Sequence, residues 1–154
     1  MFTRMNKVVV HTLFIALALG GGILIGYLSP PGDWYQTLAK PAFTPPNWMF
    51  PVVWSTIYVL IGIAGARTFL ARPRSLAMGL WVAQLLVNFA WSPLFFGLHQ
   101  MTLALIAIIA LFALIIGFVL ASLRHDRISA LLFLPYVVWV LFALVLNATI
   151  VGLN

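Results

Sequence analysis

The chain of 154 residues has no cysteine and only two acidic residues, Asp33 and Asp126. The missing thiols exclude disulfides, Fe–S clusters, thiolate zinc sites and cysteine nucleophiles, and are silent on redox compartment. The shortage of carboxylates leaves no parts for paired acid–base hydrolysis or for a hard-cation cage. Charge of either sign is scarce, at 6% of residues, against roughly a quarter in a soluble domain. Together with 64% hydrophobic residues, that balance excludes an ordinary water-soluble protein.

What is present is apolar sequence in long runs. Five segments, about 8–28, 48–70, 76–96, 101–123 and 129–152, are separated by punctuation such as Ser29-Pro30-Pro31-Gly32 and Arg72-Pro73-Arg74. Each is long enough to cross roughly 30 Å of hydrocarbon as a helix, and none holds an acidic residue. They are apolar all round, where a barrel strand would alternate. The expected fold is therefore all-α, a single membrane domain over 1–154 built as a five-helix bundle. Arg4, Lys7 and Ala16-Leu17-Ala18 also fit a secretory signal, but the apolar run continues to Leu28, long enough to span.

The net charge of +6 does not read as a nucleic-acid site, because the basic residues are few and dispersed. Arg4, Lys7, Arg67, Arg72, Arg74, Arg124 and Arg127 all fall on one side of a five-span topology, leaving Lys40 on the other. The positive-inside rule then places the N-terminus in the cytoplasm. His11, His99 and His125 fall at different levels and make no common metal site, so no metal is expected.

Small residues repeat every four positions at Gly22 and Gly26, at Ser75, Gly79 and Ala83, and at Ala113, Gly117 and Ala121. Such stripes let helices approach closely, within one bundle or, for the Ser75 stripe, in a homodimer.

Aromatic residues make up 14% of the chain, with six tryptophans, and they are not scattered. The connection 29–47 is long for a small bundle and rich in proline, so it reads as a semi-rigid flap over one mouth. Trp34 and Tyr35 suit either that flap or an interfacial belt. Phe43 belongs to the flap, and Trp48 and Phe50 sit at the mouth of the second helix. Within the helices the spacing is sharper. Trp54 and Tyr58 share a face of the second; Trp81, Gln84, Asn88 and Trp91 form a stripe on the third; Tyr136, Trp139, Ala143 and Asn147 form one on the fifth. Gln84, Asn88 and Asn147 lie at membrane depth, where facing lipid is costly, so they face either neighbouring helices or a ligand. Three such faces beneath a flap suit a flat apolar ligand with a few polar edges. Pro93 and Pro135 are candidates for kinks that widen the bundle there. A carboxylate relay for ion transport is missing.

The runs Trp34-Tyr35, Lys40-Pro41, Pro45-Pro46-Asn47-Trp48-Met49-Phe50, Gln84 to Gly97 with Asn88-Phe89-Ala90-Trp91-Ser92-Pro93, Pro135-Tyr136-Val137-Val138-Trp139 and Leu146-Asn147 resemble the TspO/MBR family. These are the tryptophan-rich sensory proteins and the mitochondrial translocator protein, or peripheral-type benzodiazepine receptor. The resemblance covers nearly the whole chain. It implies a receptor or regulator, often dimeric, that binds porphyrins such as protoporphyrin IX, haem-like tetrapyrroles, and benzodiazepine-site hydrophobic ligands, with no required cofactor. Alternatives within the family are light-dependent porphyrin degradation, for which Trp139 is the candidate reactive residue, and transport of tetrapyrroles or other lipophiles. Carried over by motif, Trp54, Tyr58, Asn88, Trp91, Tyr136, Trp139 and Asn147 would line the pocket beside Gln84 and Trp48, with Trp34 and Phe43 above. Many members have Trp at the position of Phe43, so altered porphyrin binding is expected. The cholesterol-recognition pattern of animal members is missing after Asn147. The short tail looks bacterial, which implies a bacterial envelope membrane, the inner one favoured over the outer.

Overall fold

A computed structural model describes residues 6–154; Arg4, one of the basic residues that orient the chain, lies outside them. Five spanning helices and one short flap helix account for the fold: α1 (Lys7–Leu28), α2 (Asp33–Thr37), α3 (Met49–Ala71), α4 (Leu76–Gly97), α5 (Met101–Ser122) and α6 (Arg127–Leu153). No strand occurs among the described residues. The spans have the length and apolarity of membrane helices, and the chain is an integral membrane protein.

Two prolines act where expected, by removing a backbone donor. Pro93 cannot hydrogen-bond to Phe89, and α4 re-registers into a π-helical turn at Pro93–Gly97, closed by the Leu98 N–H to Pro93 O bond. Pro135 falls in the first turn after a break at Phe133 in α6. A further π turn at Ala16–Gly20 interrupts α1 without any proline.

The end remote from the flap is packed solid. Gly62 of α3 brings Ile15 of α1 so close that a Cβ would lie 2.5 Å from the Ile15 Cα. Gly65 does the same for the Trp81 ring, whose Nε1 donates to Ile61 O at 2.9 Å. Phe118 and Phe133, both fully buried, pack with ring centroids 4.2 Å apart. At this end Arg67 makes a two-pronged ion pair with Asp126, which also caps the start of α6 through Ser129. Lys7, Arg72, Arg74, Arg124 and Arg127 belong to the helix termini and connections of the same end.

The small-residue stripes diverge in use. Gly22 admits the Tyr58 ring and Gly117 touches Leu80, whereas Gly79 is exposed with nothing within 4 Å of where its side chain would begin, between half-buried Ser75 and Ala83.

Candidate functional site

At the flap end the helices part around a cavity of about 530 Å³. Its wall is aromatic on two sides. From α3 and α6, Trp54 stacks on Tyr58 at 5.5 Å and meets Trp139 edge-on at 6.4 Å, while Phe50 meets Trp139 at 5.9 Å. From α4, Trp91 stacks on Phe95 at 5.1 Å and meets Phe96 edge-on at 5.5 Å. Tyr35 of the flap closes the space from above, edge-on to Phe96 at 5.3 Å.

Six residues picked out by their helical spacing meet at this wall: Trp54, Tyr58, Asn88, Trp91, Trp139 and Asn147 all line the cavity. Gln84 and Tyr136 share their stripes but lie one layer deeper, fully buried behind Asn88. Trp34, Phe43 and Trp48 are not on the wall. Trp34 instead stacks flat on His99 at 4.1 Å, Phe43 leans edge-on against Phe142 at 6.2 Å, and Trp48 is 64% exposed just before α3. The flap is also less extended than its prolines implied, because residues 33–37 coil into α2 and bury Tyr35.

A hydrogen-bonded chain runs from the cavity into the core. Tyr58 Oη donates to Asn88 Oδ1 at 2.8 Å, Asn88 Nδ2 donates to Tyr136 Oη at 2.6 Å, and Tyr136 Oη donates to Gln84 Oε1 at 2.8 Å. Gln84 Nε2, at the end, is buried with no partner. Separately, Trp91 Nε1 donates to Asn147 Oδ1 at 3.0 Å, and Asn147 Nδ2 donates to Met101 O. Both asparagines line the cavity, and each hydrogen bond they make is to a neighbouring helix, the first of the two readings of these amides. The buried donor with no partner on the wall itself is Trp139 Nε1.

Spacing missed Tyr35, Phe95, Phe96, Ser55 and Ser92, all of which line the cavity. Phe95 was within reach of the pattern, since it continues the Asn88, Trp91 stripe by one further turn. Ser92 and Phe96 were within reach too, at four and eight residues from Asn88 on the same helical face.

The lining contains no charged side chain, imidazole or sulfur. Among the described residues no three His, Asp or Glu gather into a metal-binding group. Such a wall can stack, exclude water and offer a few neutral hydrogen bonds; it holds no acid–base pair.

A family model described as the TspO/MBR family matches residues 14–153. The chain belongs to the TspO/MBR family. Among its relatives are the protein CrtK of Rhodobacter capsulatus, 39% identical and covering 92% of this chain and 89% of that one, and a tryptophan-rich sensory protein of Cereibacter sphaeroides, 33% identical over 89% and 87%. The human translocator protein is 31% identical over 90% and 86%. Membership of the TspO/MBR family supports a sensory, regulatory or transport role in a membrane.

Proposed function

We propose that this TspO/MBR member is a membrane receptor or regulator that binds a porphyrin or a similar flat lipophile in the flap-end cavity. The observation that supports this most is the composition of the wall: Trp54, Tyr58, Trp91, Trp139, Phe50 and Phe95 around about 530 Å³ with nothing charged. Rings of this kind stack on a planar π-system and exclude water, and the volume lies within the usual small-molecule range. The same lining has no His, Cys or Met for haem iron, and of the known haem ligands offers only Tyr35 and Tyr58, so a metal-free porphyrin suits it at least as well as haem. The basic end of the bundle supports a cytoplasmic N-terminus.

Titration with protoporphyrin IX should quench tryptophan fluorescence saturably. Trp54→Phe and Trp139→Phe should each weaken binding severalfold, and haemin should bind no tighter than the metal-free ring. Linear, non-saturable quenching that neither variant alters would overturn the reading. Repeating the titration under illumination tests a reaction at Trp139, seen as porphyrin absorbance lost faster with the protein than without it.

A further inference from the structure

The way into the cavity is not specified by its wall, and the flap and the outer half of α1 offer opposite prospects. The flap is fastened at several points. Asn154 both accepts from Ala39 N–H at 3.1 Å and donates to Ala39 O at 2.9 Å. Lys40 Nζ donates to Tyr35 O at 2.7 Å and lies 4.4 Å from the centre of the Tyr35 ring. Trp34 stacks on His99 with only 9° between the planes, tying α2 to the connection between α4 and α5. Lifting the flap would break the Asn154 and His99 contacts together and pull Tyr35 off Phe95 and Phe96, whereas the Lys40–Tyr35 contact is internal to the flap and keeps Tyr35 in place within it.

The stretch Gly21–Leu28 of α1 contains no buried residue. Ile23, Leu24, Tyr27 and Leu28 are 60, 55, 81 and 65% exposed. Its inner turn packs tightly at Gly22 under Tyr58 and Gly21 under Phe89, where a Cβ would lie 2.2 and 2.6 Å from the rings, and its outer turn is the free part. A Cβ on Gly26 would meet nothing within 4 Å, although Gly26 borders the cavity. A π turn at Ala16–Gly20 comes just before this stretch, and single π turns inside helices are frequent at functional sites. Glycine further weakens a helix, by roughly 1 kcal/mol per residue relative to alanine in water.

Residues that both line the cavity and are exposed mark its mouth, and these are Ile23, Gly26, Pro31, Asn47 and Pro51. They belong to α1, the start of α3 and the two ends of the flap loop, so the mouth opens sideways between α1 and α3. Ile23 lies five residues inside the flap end of α1, a depth of about 8 Å at 1.5 Å per residue. That depth is within lipid.

We propose that the cavity is filled sideways from the bilayer, by a lipophile already dissolved in the leaflet at the flap end, through a gate formed by the outer half of α1, while the flap stays fastened. The route rests on the cavity being a ligand site. It selects for compounds that partition into membrane, and it makes access depend on α1 rather than on the aqueous face of the flap.

The absence of cysteine makes a direct test possible. The protein is reconstituted in phosphatidylcholine vesicles, and uptake and release of protoporphyrin IX are followed by stopped-flow tryptophan quenching. A graded series, Gly26→Ala, Gly26→Leu and Gly26→Phe, should slow both rates in order of side-chain size, with Gly26→Phe at least about tenfold slower, a barrier rise of about 1.4 kcal/mol. Gly20→Phe, on the same helix but off the cavity and equally free of neighbours, should remain close to the parent rate. So should Ala39→Cys combined with Asn154→Cys and joined by a short thiol-reactive linker, which fixes the flap. A linked flap that stops uptake, or a Gly26 series at parent rates, overturns the lateral route while saturable binding leaves the cavity reading intact. If the parent protein shows no saturable quenching, the cavity reading falls and the route falls with it.

Discussion

At the end remote from the flap, Gly62 and Gly65 let α3 come so close to its neighbours that Ile15 Cα and the Trp81 ring lie 2.5 and 2.3 Å from where a side chain would begin. At the flap end Gly21 and Gly22 come as close to the Phe89 and Tyr58 rings, at 2.6 and 2.2 Å, but one turn further on Gly26 has nothing within 4 Å of that point, and there the helices stand apart around a cavity. In lipid, helices gain little from burying apolar area against each other, so close packing decides where they join. Gly62 and Gly65 weld one half of the bundle into a solid block. The other half encloses a cavity, tied by the glycine contacts of α1 with Tyr58 and Phe89 and by hydrogen bonds from Asn88 and Asn147. A rigid block at one end is what allows the other to keep a cavity without collapsing.

Filling the closed half should have the largest effect. Gly65→Val forces the buried Trp81 ring aside and breaks its bond to Ile61 O, a loss of about 3 kcal/mol as overpacking goes, seen as a fall in thermal midpoint in detergent. The same change at Gly20, which meets nothing, should stay within about 0.5 kcal/mol. Equal losses at both positions would mean that the halves are not packed differently at all.

The next effect lies on the boundary between the halves. Tyr136→Phe leaves Asn88 Nδ2 and Gln84 Oε1 without their partner, beside a Gln84 Nε2 that already has none. The expected cost is about 1–2 kcal/mol. Adding Gln84→Leu removes the stranded amide and should recover part of the loss, which a double-mutant cycle measures.

How much of this was legible follows from what helical spacing encodes. A repeat of three and four residues fixes the direction in which a side chain leaves the helix, so the sequence alone gathers Trp54, Tyr58, Asn88, Trp91, Trp139 and Asn147 on facing stripes. It does not encode depth, and Gln84 and Tyr136, in the same stripes, lie a layer behind the cavity. A π turn follows Pro93, yet Phe95 and Phe96 still reach the cavity at the seventh and eighth positions from Asn88, where an α-helical count also puts them. The flap was the least legible part. Whether Trp34 faces a ligand or stacks on His99, 65 residues away, depends on how the loop folds back, and proline content restricts local conformation without specifying a distant partner.

Acid should loosen the closed end modestly. Burial pushes the Asp126 carboxyl upward, but the bonds from Arg67 and Ser129 outweigh this and hold it at about 2, below its ordinary 3.8. A carboxylate depressed in the folded state stabilises fully above its unfolded value, and that contribution disappears as pH falls from about 4 toward 2. Because Arg67 and Asp126 are 34 and 18% exposed, solvent screening limits the effect to about 1 kcal/mol. Asp126→Asn should flatten this acid limb in thermal unfolding against pH. A limb that persists unchanged would place the acid sensitivity elsewhere.

The smallest expected effect sharpens the open half. Phe43 occupies a position where an indole was expected to matter, yet it is 49% exposed, leans on Phe142 and is not part of the cavity wall. Phe43→Trp should therefore change protoporphyrin IX affinity by less than about twofold, the scale of an ordinary surface substitution, while Trp54→Phe on the wall changes it severalfold. If Phe43→Trp instead tightened binding tenfold, the flap would have to fold further over the mouth when ligand is present. The open half would then be completed by the flap, and its contrast with the closed half would hold only for the empty cavity.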